Sequence, residues 1–256
     1  MHNALFELTG LPYQYDLFDT GDVSKIKDII RSSNFGGASV TIPLKLDVIP
    51  LLDEVDPAAK AIGAVNTIVR SASSEGKTVL TGYNTDYLGM TLALDHAGAK
   101  GSTSAAREAA MVIGGGGTAR AAIYALQQLG YGPIYLVGRN KSKLSTLTES
   151  FKSPEFDIRL LSEVDEAKAL TAEELPSVAI GTIPGDTPID SGMREVLCAL
   201  LEAGYQSGKQ RVLLEMAYKP RVTSLMQLAS NSRWTTIPGL EALVGQGVHQ
   251  VSHVSI

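Results

Sequence analysis

The sequence predicts an α/β protein with mostly parallel sheets, and three observations lead there. Short apolar runs rich in β-branched residues alternate with segments of helical length. Four consecutive glycines, Gly114 to Gly117, stand where one apolar run hands over to a helical pattern. The composition is that of a globular chain: 44% hydrophobic and 19% charged over 256 residues, with 25 Gly and 11 Pro. That length allows one large domain or two modest ones with a real core, and it excludes wholesale disorder, collagen and coiled coil.

Strands are predicted, in order, at 15–18 (YDLF), 37–42 (GASVTI), 64–69 (AVNTIV), 110–114 (AMVIG), 134–138 (IYLVG), 178–183 (VAIGTI) and 212–218 (VLLEMAY). Between them, 24–31 puts Ile26, Ile29 and Ile30 on one helical face, and 119–129 does the same for Ala122, Ile123, Leu126 and Leu129, so these positions are expected in the core. The polar stretch 71–78 reads as a hairpin tip, 99–108 (AKGSTSAARE) as part of a domain boundary near 93–108, and 151–157 and 205–210 as surface connections.

Charge and cysteine usage narrow the class. The 22 Lys and Arg against 27 Asp and Glu give a net charge of −5, which argues against nucleic acid as the main partner. Cys198 is the single cysteine, so an internal disulfide or cysteine metal cluster is excluded and a small buried hydrophobe expected. No apolar run reaches 18 residues, and MHNALFELTG has neither a basic n-region nor an apolar h-region, so a cytoplasmic protein with no membrane partner is expected. His249 and His253 have helical i, i+4 spacing without a supporting acid, and are expected as surface residues rather than metal ligands.

The glycine cluster carries the first functional signal. Residues 110–144 read strand, glycine turn, helix, strand, and Gly114, Gly116 and Ala119 satisfy G-x-G-x-x-A in the context that dinucleotide binding requires. Gly114 permits the tight turn, Gly116 lets backbone N–H groups approach a pyrophosphate, and Ala119 allows close packing of helix on strand. Gly117 and Thr118 are expected to bind the cofactor with them, and the N-terminus of the helix that follows adds partial positive charge. At the end of the second strand, where an NAD site offers an acid to the ribose 2′-hydroxyl, stands Arg139, with Lys141 and Lys143 close behind. That cluster suits a 2′-phosphate, so NADP is the expected cofactor, although Lys141 and Lys143 also fit a solvated charge run opening a helix.

The first half holds SVTIPLK (39–45), GAVNTI (63–68) and GYNTDYLG (82–89), in which Lys45, Asn66 and Asp86 follow apolar runs as strand-end groups do. Hydride transfer between an alcohol and a ketone needs a group that moves the hydroxyl proton, and a lysine beside an aspartate in a partly desolvated cleft suits that task. Taken singly and by spacing alone, Lys45 and Asp86 fit solvated surface charges better than catalytic groups.

Taken together in this order, SVTIPLK, GAVNTI, NTDYLG, GGGGTARAA, GRNKSK, EMAYKP (215–220) and PGLEALVGQG (238–247) resemble the shikimate dehydrogenase family over essentially the whole chain. The wording resembles in particular the C-terminal domain of the fungal pentafunctional arom polypeptide and the related fungal quinate repressor. The resemblance implies a substrate-binding α/β domain over 1–98, a Rossmann-type NADP-binding domain over 99–237, and a C-terminal helical segment, 238–256, that returns to the first domain. It implies Lys45 and Asp86 as the catalytic pair, with Lys45 moving the proton and Asp86 orienting substrate and lysine. Thr41, Asn66, Tyr218 and Gln246 correspond to substrate contacts, each also readable as a structural polar group. Gly239 and Gly245 are expected to serve backbone approach and helix packing.

The implied activity is NADP-dependent interconversion of 3-dehydroshikimate and shikimate in aromatic amino acid biosynthesis, with quinate as a further substrate candidate. The family pattern departs at the start, where a strand and an S-x-S-P segment normally precede the equivalent of His2 and Asn3. From that, weakened substrate binding and a strand at 15–18 without its neighbour are expected. A dehydrogenase-like sensor related to the quinate repressor is the alternative function. Oligomeric state is not legible.

Overall fold

The computed structural model describes residues 1–72, 75–101, 107–151, 153–203 and 210–254. Ser73 and Ser74 of the expected hairpin tip, 102–106 of the expected boundary, Lys152 and 205–209 lie outside the described residues. Two sheets form among the described residues, with helices packed on and between them.

The first sheet is built from β1 (Gly37–Ser39), β2 (Glu54–Val55), β3 (Thr67–Ala72) and β4 (Thr78–Tyr83), in the order β1-β3-β4-β2. Here the parallel expectation needs correction: β1–β3 and β3–β4 run antiparallel, and β2 alone pairs parallel, with β4. The reason lies in the connections, since the short link from β3 to β4 permits a hairpin and is too short for a parallel crossover. A small core of Ile30, Val48, Ala59, Val65, Ile68 and Leu80 fills one side of this sheet.

The second sheet is entirely parallel. Its strands are β5 (Ala110–Ile113), β6 (Ile134–Val137), β7 (Ile158–Leu160), β8 (Val178–Gly181), β9 (Val212–Glu215) and β10 (Thr235–Ile237), in the order β10-β9-β8-β5-β6-β7. The chain starts at β5, builds outward through β6 and β7, then returns to β8 on the other side, which is the doubly wound Rossmann-like order with its switch point between β5 and β8. The central strands are buried on both faces and accordingly read as unbroken apolar runs.

On one face lies α5 (Gly117–Gln128), burying Ala122, Ile123 and Leu126, together with α4 (Asp86–His96). On the other lies α8 (Ser191–Glu202), with Cys198 packed at the edge of its core. The C-terminal helix α10 (Gly239–Val254) packs on α4, on β3 and on α1 (His2–Thr9) of the first half, as expected of a returning helix. No helix among the described residues is long and apolar enough to cross a membrane.

Several sequence expectations shift. Residues 15–18 form no strand; the backbone N–H of Tyr15 is taken by the side chain of Asn3 at 2.6 Å, and no strand pairs with the segment. The run at 37–42 is a strand only to Ser39: the Val40 N–H still bonds to Asn66 O in register with β3, and the chain then turns, with Leu44 N–H closing on Thr41 O. The run at 64–69 begins as a strand at Thr67, since the Val65 N–H is taken by the Lys45 carbonyl. The run at 178–183 stops at Gly181, where the Thr182 hydroxyl turns back onto Ile113 O. The run at 212–218 stops at Glu215 for a similar reason: Ala217 N–H folds back onto the Glu215 carboxylate. Finally, Ile29 is 41% exposed rather than core. Residues 23–26 form a 3-10 turn before α2 (Lys27–Arg31), and the tighter winding leaves Ile30 facing inward and Ile29 outward.

Candidate active site

The antiparallel β3–β4 hairpin sets up the site. It places the start of β3 beside the end of β4, and β1 ends beside the start of β3, with Ser39 opposite Thr67 and Thr67 opposite Tyr83. Asn66, just before β3, Asp86, just after β4, and the 42–48 turn that follows β1 and holds Lys45 therefore meet at one end of the sheet. Asn66 thus precedes a strand instead of following one, which corrects the strand-end reading of that residue. The Lys45 carbonyl accepts the Val65 N–H at 2.8 Å, fixing the turn against the sheet.

The side chains converge tightly. Lys45 Nζ donates to Asp86 Oδ2 at 2.5 Å, and the two residues are only 7% and 2% exposed. Asn66 Nδ2 reaches Asp86 Oδ1 at 2.9 Å, Thr85 Oγ1 at 3.0 Å and Gln246 Oε1 at 2.8 Å. An amide has two protons, so these three oxygens share them. The Asn66 oxygen in turn accepts from Thr85 N–H at 2.7 Å and the Thr67 hydroxyl at 2.8 Å, which fixes the amide's orientation. Asp86 opens α4, where the helix N-terminus favours a carboxylate, and its backbone N–H is met by Asn84 Oδ1 at 3.1 Å. A buried ion pair is tolerable only with its remaining hydrogen-bonding capacity satisfied, and here Asn66 supplies that second bond.

Gln246 arrives from far along the chain, and two glycines bring it in. A β-carbon on Gly89 of α4 would lie 2.3 Å from Ala242 O and 2.8 Å from Gln246 N, and one on Gly245 would lie 3.1 Å from the Gly89 Cα. The α4 and α10 backbones therefore touch at a crossing that admits no side chain, and Gln246 is carried to Asn66. One helical turn on, Gln250 donates to Asn66 O at 3.4 Å and accepts from His2 or Ser39 at 2.9 and 3.0 Å. Burial holds the His2 imidazole below its ordinary pKa. Gln250, Asn84 and Thr85 are site residues that the motif reading passed over. Gln250 lies four residues after Gln246, and the other two sit inside NTDYLG, so spacing could have found all three.

The glycine turn lies at the carboxyl edge of the parallel sheet. Gly114 has φ +124, and a β-carbon there would lie 2.4 Å from Thr182 Oγ1, so both conformation and contact demand glycine. A β-carbon on Gly116 would meet nothing within 4 Å, and α5 starts at Gly117 without a side-chain cap, with Thr118 in its first turn and Ala119 buried. Open space over uncapped helix N–H groups fits a dinucleotide pyrophosphate. Gly117 also faces the first half: a β-carbon there would be 3.8 Å from Lys45 Cβ.

Arg139 follows β6, exposed, and Lys143 is exposed in the first turn of α6 (Lys141–Ser150), capped by Asn140. Neither forms an ion pair among the described residues, whereas Lys141 is bonded to Glu163, which raises its pKa and removes it from the expected cationic cluster. Thr41 is exposed on the turn leading to Lys45, and Tyr218, 53% exposed, sits on the loop after β9. No hydrogen bond among the described residues joins either side chain to the Lys45 group. His253 is not a plain surface residue, since it stacks on Tyr83 with ring centroids 4.3 Å apart.

These features define a two-part α/β protein in which a Rossmann-like sheet presents a dinucleotide-type turn to a buried lysine–aspartate pair from a second sheet. Residues 1–68 match the profile of the shikimate dehydrogenase substrate binding domain. The whole chain matches part of a solved chain comprising dehydroquinate dehydratase and shikimate dehydrogenase from S. pombe AroM, with 35% identity and a TM-score of 0.75, and spans about half of it, 49%. It also matches shikimate 5-dehydrogenase from Listeria monocytogenes, solved with shikimate and NAD, at 25% identity, TM-score 0.77, over 99% of this chain and 85% of that one. The Thermus thermophilus enzyme, solved with NADP(H) and shikimate, gives 25% identity and TM-score 0.74 over 99% and 87%. The first 68 residues thus match the substrate binding domain of shikimate dehydrogenase, and the chain as a whole is similar to solved shikimate dehydrogenases.

Proposed function

We propose that this chain is an NADP-dependent shikimate dehydrogenase interconverting 3-dehydroshikimate and shikimate, with a substrate-binding domain at 1–98, an NADP-binding domain at 99–237 and the returning helix at 238–256. The observation that carries the reading is the buried Lys45–Asp86 pair lying against Gly117 of the dinucleotide-type turn. The nicotinamide, when bound, supplies or accepts the hydride. Lys45 holds the proton at Nζ, gives it to the ketone oxygen in reduction and takes it from the hydroxyl in oxidation. Asp86 keeps the ammonium aimed and balances its charge. Asn66 and Gln246 exchange hydrogen bonds with ring hydroxyls, for which the shared Asn66 amide is well suited. Thr41 and Tyr218 add hydroxyl contacts at the exposed side. The turn at Gly114, Gly116, Gly117, Thr118 and Ala119 holds the pyrophosphate, and Arg139 with Lys143 selects the 2′-phosphate.

NADPH absorbance followed with 3-dehydroshikimate, and in reverse with shikimate and with quinate, tests the proposal. Turnover with shikimate supports it, faster turnover with quinate moves the substrate, and binding of shikimate without any turnover would replace the enzyme by a sensor.

A further inference from the structure

Glu215, the last residue of β9, is fully buried, and no cation faces its carboxylate among the described residues. Donors meet it instead: Ala217 N–H reaches Oε1 at 3.0 Å and the Thr223 hydroxyl reaches Oε2 at 2.8 Å. Burial lifts the carboxyl above the ordinary glutamate range, and these bonds, with one from Met216 N–H, oppose that rise. A buried carboxyl is costly unless hydrogen bonds meet it, so these donors and Glu215 hold one another in place. The two partners are the two ends of one loop, 216–223. Thr223 is at the same time the N-cap of α9 (Ser224–Asn231), accepting Met226 N–H at 3.1 Å, so the far end of the loop is anchored to a helix through the same hydroxyl. Gly185 packs against the loop from the β8 side, where a β-carbon would lie 2.6 Å from Lys219 O. What the loop carries outward is Tyr218, 53% exposed.

We propose that Glu215 is a positioning residue: its carboxylate clasps both ends of the 216–223 loop and thereby holds Tyr218 where the substrate docks. The proposal rests on the reading of Tyr218 as a substrate contact. Because the clasp acts before substrate arrives, it bears on binding of shikimate rather than on the proton transfer at Lys45, and it leaves the dinucleotide turn untouched.

The test uses the full chain with Glu215→Gln, Thr223→Val, Thr223→Ser and Tyr218→Phe, reading the shikimate KM and kcat, NADP affinity, and amide hydrogen exchange across the loop. Losing a hydrogen bond to a charged group should raise the shikimate KM about tenfold in Glu215→Gln, with kcat and NADP affinity nearly unchanged. Amides of 217–223 should exchange faster without any substrate present. Thr223→Val should reproduce both changes and Thr223→Ser should restore them, which keeps the question open to decision if Glu215→Gln fails to fold. Adding Tyr218→Phe to Glu215→Gln should raise KM by less than it does alone. Unchanged loop exchange in Glu215→Gln and Thr223→Val overturns the clasp whatever the turnover. If Tyr218→Phe raises KM and the clasp variants do not, the clasp falls and the Tyr218 reading stands. A normal KM in Tyr218→Phe removes that reading, and this proposal with it.

Discussion

The glycine turn after β5 and the polar cluster around Lys45 face each other across a short distance but are assembled in opposite ways. The turn comes from one stretch, residues 110–144, in which strand, glycines and helix follow one another. The polar cluster draws Lys45, Asn66, Asp86 and Gln246 from four segments, and Asn66 alone bonds across a separation of 180 residues to Gln246. A local motif keeps its geometry wherever its strand is paired. A distributed cluster depends on each sheet register and helix crossing that brings its members in. The two regions should therefore fail differently when disturbed, and variants can separate them.

The largest separation is expected from Lys45→Ala. Loss of positioned acid–base help should lower kcat by roughly 100-fold or more, while NADP affinity, measured by fluorescence titration, stays near that of the parent because the turn is built elsewhere. Normal kcat would remove Lys45 from proton transfer, and lost NADP binding would show that the two regions are not independent.

Gly89→Ala probes the helix crossing that delivers Gln246. With a β-carbon 2.3 Å from Ala242 O, backbone must move, at a cost of about 1 to 3 kcal/mol by the scale of overpacking in cores. Chemical denaturation should show that loss, and the shikimate KM should rise more than the NADP dissociation constant. An unchanged KM would mean that Gln246 does not need the crossing to contribute.

Arg139→Asp examines the local side. It should weaken NADP binding by about tenfold, the scale of one hydrogen bond to a charged group, and spare or improve NAD binding. Equal affinity of the unmodified protein for the two cofactors would count against Arg139 as the selecting residue.

The smallest effect is expected at Tyr135 in β6, whose hydroxyl is buried without a hydrogen-bond partner among the described residues. Burial keeps its pKa above the ordinary tyrosine value. Tyr135→Phe removes an unsatisfied polar group and should leave the protein as stable or more so, by up to about 1 kcal/mol, in thermal or urea unfolding. A clear destabilisation would mean that the hydroxyl has a partner such as a buried water.

The βαβ unit at 110–144 was readable because every signal in it is short-range: an apolar run, a residue with positive φ that only glycine suits, and a helical period. Lys45, Asp86, Asn66 and Gln246 could be named from motif wording, but nothing in the wording says that Asn66 shares its amide among Thr85, Asp86 and Gln246. Short edge strands such as β2 and β7 escaped notice because two or three residues carry no periodicity, and they exist only because a neighbouring strand offers them partners. At YDLF the same dependence ran the other way, and an apolar alternation without a pairing partner stayed out of both sheets.

From the amino-acid order by itself came the α/β class, the glycine turn with its helix, the absence of an acid where Arg139 stands, and the identity of the polar residues in each motif. These are properties of neighbours in the chain, set by backbone sterics and side-chain period. Only the tertiary structure decided that the first sheet is mostly antiparallel, that Lys45 is buried on Asp86, that Lys141 is committed to Glu163, and that Gly89 and Gly245 let α10 carry Gln246 to Asn66. Those outcomes depend on which distant surfaces fit closely enough to exclude water, and close fit between segments is not a property of either segment.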